Sequence, residues 1–218
     1  MLLADIPEIK AYPAISAFVT NHLSMQFGDV RSMMRLPLPD LGITHACNFA
    51  ATAVLCNLVS GVSVSLYMPK SPVKTNQKGK RLWVGSGEAF KLLLEDFYPW
   101  GQGEDGKQRA KVLYDLFRNP FAHALGVHGK ARYRIGVARR PGPGLQEAEL
   151  EQLESSATRP AWLPAGFSGG GNQWNVVAEG FYRDVFHTLW NLARDKAQMT
   201  QAEKRFKAER VIWRVGRP

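Results

Sequence analysis

From Ile43 to Met68 the chain carries no acidic or basic side chain, and His45 is the only imidazole in that run. An uncharged stretch this long either crosses a bilayer, which takes about 20 apolar residues, or lies inside a protein core. Asn48, Asn57, three serines, two threonines and Gly61 make it too polar for hydrocarbon. It is therefore read as the central helix of a bundle, buried on most sides, with no membrane partner. Asn48 and Asn57 would then need hydrogen-bond partners in the core.

The segments around it repeat apolar residues at helical spacing. Ile15, Phe18, Val19 and Leu23 predict a helix over Pro13 to Leu23, followed by the proline-punctuated link LPLPDLG. Pro69 to Lys80 is polar and reads as a loop. Ser86 is a candidate N-cap for a helix that carries Phe90, Leu93, Leu94 and Phe97 to a stop at Pro99. A further helix from Lys107 carries Val112, Leu113, Leu116 and Phe117. Ala131 to Ala138 alternates and predicts a strand.

An irregular insertion is expected over residues 139–173. It contains an acidic helical piece, Leu145 to Leu153, and ends in SGGGNQ, so it is read as a hairpin or a flexible excursion over the surface. The last helix is expected from Trp174 to Glu209, with an apolar stripe up to Leu192 and a polar end projecting from the body beyond Arg194. At 218 residues the whole chain, 1–218, suits one domain, mostly all-α.

No secretory signal is visible at the N-terminus, so a reducing, cytoplasmic setting is expected. Cys47 and Cys56 lie nine residues apart in the uncharged helix, a rise of roughly 13 Å, against an upper limit of about 7 Å between bridged α-carbons. No disulfide and no metal site are expected, and nothing calls for a cofactor. The net charge of +9 favours an anionic partner. Basic residues cluster at Lys70 to Arg81, at Lys130, Arg132, Arg134, Arg139 and Arg140, and in the tail from Lys204 to Arg217, with Trp83, Tyr133 and Trp213 beside them. Cations interleaved with aromatics suit single-stranded nucleic acid, and the second cluster is the candidate nucleic-acid-binding set.

The run RNPFAH, Arg118 to His123, holds the residue types that grip a phosphate and move a proton. With 16 arginines and 5 histidines in the chain, an Arg and a His at such a spacing arise about once by chance. Asn119 and the helical setting add the information. Asn119 and Pro120 also suit a plain junction that ends one helix and starts another. Such a break would serve chemistry as well, because positions five apart on a straight helix point about 140° from each other. A bend at Pro120 or a two-fold dimer would let Arg118 and His123 share a phosphate. A new helix starting there would hold His123 neutral through its dipole.

Arg118, Asn119 and His123 resemble the motif of ribonuclease members of the HEPN superfamily of helical bundles, an Arg usually followed by a polar residue and a His four to six residues further on, here with four residues between Arg and His. The segment LYDLFRNPFAHALG, Leu113 to Gly126, is similar to the motif-bearing helix of bacterial members. The uncharged helix, the helix ending FYP and WNVVAEGFYRDVFHTL also occur in the expected order, over about 150 residues. Leu125 stands where some toxin members have a tyrosine, and residues 139–173 have no clear equivalent. The resemblance implies a HEPN-like bundle with a small β-hairpin or irregular insertion, a role in toxin or defence systems, and metal-independent cleavage of RNA at a homodimeric site. Arg118, Asn119 and His123 are then the catalytic residues. The alternative is a noncatalytic HEPN-like module that binds nucleic acid or protein.

Overall fold

A computed structural model describes residues 6–36, 47–68, 85–101, 103–124, 133–140 and 143–208, with the backbone alone for 122–124. The loop expected over Pro69 to Lys80, the link from residue 37 to 42, His45, and the two outer basic clusters apart from Lys204, Arg205 and Lys207 lie outside the described residues.

The chain is mostly helical with one small sheet. α1 (Pro7–Lys10) leads into α2 (Pro13–Phe18), a π-helical turn (Val19–Leu23) and α3 (Ser24–Arg35). The predicted first helix therefore does not stop at Leu23. The wide turn passes directly into α3, which buries Phe27, Val30 and Met34.

α4 (Asn48–Ser65) is the uncharged helix, and it packs against α3, α5 (Ser86–Phe97), α9 (Ala178–Arg194) and the segment that carries the motif. Among the described residues it is the one helix long and apolar enough to cross a bilayer, and half of it is buried in the bundle. Leu55, Cys56, Val59 and Val62 are fully enclosed. Asn57 is exposed and needs no internal partner, whereas Asn48 is buried with no donor to its Oδ1 among the described residues. α5 has the predicted extent, but its cap position is Gly85 and Ser86 is already helical. α6 (Gly106–Leu113) is capped by the Asp105 carboxylate, which accepts from the Gln108 N–H at 3.0 Å.

β1 (Arg134–Ala138), β2 (Phe167–Gly170) and β3 (Gln173–Val177) form a mixed sheet in the order β1–β3–β2. β1 runs parallel to β3, pairing Ile135 with Trp174, and β2 pairs antiparallel with β3, setting Gly169 opposite Trp174. The SGGGNQ run is thus the turn and flanking strands of a hairpin. Gly171, at φ 55°, supplies the left-handed residue the tight turn needs. Trp174 to Val177, expected at the start of the last helix, is strand because β-branched Val176 and Val177 follow that turn.

α9 is the second core helix, and nearly all of it is buried, including Glu179, Arg183, Asp184 and His187. The segment expected as a hairpin or a surface excursion supplies the hairpin and also encloses these polar side chains. α8 (Glu147–Ser155) buries Leu150 and Leu153, and Leu163 and Phe167 enter the same core. Glu179 accepts from Arg139 Nε at 2.9 Å and from the Arg140 N–H. Asp184 accepts from Arg159, the Tyr98 hydroxyl and the Gly166 N–H. His187 Nε2 faces the Leu153 carbonyl at 3.0 Å and therefore donates to it. Glu154 ties the same segment to α3 and α9 by accepting from Arg31 and the Tyr182 hydroxyl.

The terminal helix breaks at Asp195, whose carboxylate caps α10 (Lys196–Ala208) through the Ala197 and Gln198 N–H groups. α10 does not project. It folds back on α2 with Met199, Ala202 and Phe206 buried. Its Glu203 accepts from the Ala14 and Ile15 N–H groups, capping the open end of α2.

Candidate functional site

The motif lies on one continuous helical run. α6 passes through a π-helical turn (Tyr114–Arg118) into α7 (Asn119–Ala124), and Asn119 is helical at φ −65°, ψ −46°. There is no break at Pro120. Proline in a regular helix lacks an N–H and presses its ring on the preceding turn. Here the turn before it is widened, with the Asn119 N–H reaching the Tyr114 carbonyl, and that gives the ring room. His123 is thus not the first turn of a new helix, and the dipole argument for its neutral form falls away. Its backbone belongs to α7, and its side chain lies outside the described residues.

Leu116, Phe117, Pro120 and Phe121 face the core, which leaves Arg118 and Asn119 half-buried at its edge. Arg118 Nε donates to Ser60 Oγ at 2.8 Å, and that hydroxyl donates to the Cys56 carbonyl at 3.0 Å. The guanidinium carbon lies 5.6 Å from the centre of the Tyr114 ring, within reach of a cation–π contact. Beneath it the Cys56 thiol is pushed up to about 12 by burial, a rise the Arg118 charge partly offsets. Among the described residues no carboxylate forms an ion pair with Arg118, and the Lys91 ammonium lies over the same Tyr114 ring at 6.0 Å.

Other arginines differ. Arg31, Arg109, Arg159 and Arg183 are each paired to a carboxylate. In the candidate nucleic-acid set, Arg139 holds Glu179 and the Met33 and Met34 carbonyls. Arg140 pairs with Glu149 and lies over the Trp162 ring at 4.7 Å. Both serve internal contacts. Arg134 is exposed on β1, while Lys130 and Arg132 lie outside the described residues.

Sequence reasoning missed the groups that hold Arg118. Ser60 is remote in the chain and reads as one of several helix serines. The spacing of Tyr114 four residues before Arg118 was the available signal. Among the described residues no three His, Cys, Asp or Glu side chains gather as metal ligands do. No family model, curated protein or solved structure matches the chain.

Proposed function

We propose that the chain is a metal-independent endoribonuclease of the HEPN type that works as a homodimer on RNA in the cytoplasm. The observation that carries the reading is Arg118: a cation fixed by a hydroxyl and an aromatic face, with no described carboxylate to neutralise it. Keeping a half-buried guanidinium unpaired costs stability unless an anion completes it, and a phosphate fits its fork of donors. π-helical turns also recur at functional positions, and this one ends on Arg118.

In this reading Arg118 stabilises charge on the non-bridging phosphate oxygens and Asn119 orients the phosphate. The His123 imidazole takes the proton of the ribose 2′-hydroxyl, whose oxygen attacks phosphorus. The bond to the 5′-oxygen breaks, that oxygen takes a proton from the second copy's imidazolium, and a 2′,3′-cyclic phosphate remains. Phe49 supports a second copy here. It is 48% exposed and packs edge-on to Phe121 of the motif at 5.9 Å, an apolar surface beside the site.

The test is cleavage of a fluorescent RNA in the presence of chelator by the native protein, Arg118→Ala and His123→Ala. Each variant should fall by about 100-fold or more with the fold intact. Equal cleavage by native protein and His123→Ala would refute the assignment. RNA binding by the native protein without any cleavage would leave a noncatalytic module.

A further inference from the structure

A pocket of about 290 Å³ opens between the α5–α6 connection and the hairpin, on the side of α9 that carries Asp184. Its walls differ in chemistry. One is aromatic: Tyr98 and Trp100 lie with ring centres 4.2 Å apart, and Phe167 meets Trp100 at 6.3 Å. The other is made by Arg159 and Arg183 around Asp184.

The hydrogen bonds at the charged wall are unevenly used. Both Asp184 oxygens are saturated, by Arg159 Nη2 at 2.7 Å, Arg183 Nη1 at 3.2 Å, the Tyr98 hydroxyl at 3.0 Å and the Gly166 N–H at 3.1 Å. Arg183 Nη2 is taken by the Ser156 and Ala157 carbonyls. The Nε–H groups of both arginines have no acceptor among the described residues. Arg159 keeps 28% of its side chain open to solvent. Glu104 at the rim is paired with Arg109 at 3.1 Å and so does not cancel the surplus cation. Two guanidiniums thus face one carboxylate, and the wall keeps a surplus positive charge.

We propose that this pocket binds a small ligand that combines a planar ring with an anionic group, the ring against Trp100 and Phe167 and the carboxylate or phosphate on Arg159. Asp184 is a positioning residue. It holds the Arg159 guanidinium at the pocket wall, as a buried carboxylate orients a cation when its remaining lone pairs are satisfied. The volume sits at the small end of ligand pockets, which suits one ring and one anion rather than an extended chain. The proposal stands apart from the ribonuclease reading, because Arg118 is not in this pocket and binding is read without any cleavage assay.

Titration calorimetry on the whole protein tests it, with benzoate and adenosine 5′-monophosphate as ring-plus-anion probes and with adenosine and inorganic phosphate as the separate halves. At least one ring-plus-anion probe should bind with a dissociation constant below about 1 mM, and each half at least about tenfold more weakly. Benzoate alone binding assigns the anion as carboxylate, and the nucleotide alone assigns it as phosphate. Arg159→Gln should weaken binding by about tenfold or more. Since that change also loosens Asp184, Ala157→Trp is the second variant: Ala157 is exposed at the rim, and an indole there fills the pocket without removing a charge. No binding by either ring-plus-anion probe, or binding undiminished in both variants, overturns the proposal and leaves Arg159 as a structural tie.

Discussion

His187 makes the stability of this fold depend on pH in a defined direction. Its imidazole is 6% exposed, donates to the Leu153 carbonyl and stacks on Trp190 at 5.4 Å. Burial, helped by the charge of Arg183, lowers its pKa from 6.5 to about 4, although the Leu153 contact works the other way. The unfolded chain therefore binds a proton that the folded chain refuses across this window, so stability falls as pH drops below about 6.5. Between pH 8 and pH 5 the loss from this one group is about 2 kcal/mol. His187→Gln keeps a donor for the carbonyl and removes the titration, at a cost of about 1 kcal/mol for the lost ring stack. Urea unfolding from pH 8 to pH 5 should show the variant less stable at the alkaline end. The two curves should cross, with the variant about 1 kcal/mol more stable at pH 5. Curves that stay parallel would refute the claim that His187 is buried neutral, since other titrating groups contribute equally to both proteins.

Glu203 acts with the same sign at lower pH. Burial opposes its charge, yet hydrogen bonds from Lys207 and from the Ile15 and Ala14 N–H groups hold its carboxyl below the ordinary value. Its contribution is present above the ordinary carboxyl range and is lost as pH falls through the folded value. Glu203→Gln should cost about 1 kcal/mol at pH 7 by urea unfolding, with the difference closing at acid pH. Gly166 tests the contact between the hairpin segment and α9. A Cβ there would stand 2.5 Å from the Phe181 backbone, so Gly166→Ala should cost about 2–3 kcal/mol in chemical denaturation. Gly170→Ala, with open space around it, should change stability by less than about 0.5 kcal/mol.

How much could be read in the sequence depended on whether one residue pattern had one physical meaning. α5 was legible to its ends because Pro99 closes it and its apolar residues repeat on one face. α4 was legible because an uncharged run with scattered serines has few other places to go. α9 was only half legible. Its apolar stripe was plain, but Glu179, Arg183, Asp184 and His187 look like a solvated face until the partners arrive from the segment between Arg139 and Gly166. The reach of α10 depended on Glu203 meeting α2 across almost the whole chain, which no local window contains. At the motif, the residues were visible and their setting was not. Pro120 reads as a helix breaker, and the widened turn that accommodates it has no sequence signature of its own.

That widened turn has a consequence for comparing this chain with others. A π-helical turn is an α-helix with one residue more than the turn requires. Removing one residue between Tyr114 and Arg118 would restore ordinary helix and leave Pro120, Phe121 and everything after them in phase with the core. The distance along the chain from Arg118 to His123 would be unchanged, and the Tyr114 ring would stay beneath the guanidinium, now three residues before the arginine instead of four. A related sequence should therefore be able to align with a single-residue gap inside this helix and still carry the motif. In such a sequence the supporting aromatic would stand three residues before the arginine, and a missing aromatic at the four-residue spacing would say nothing about whether the arginine is held.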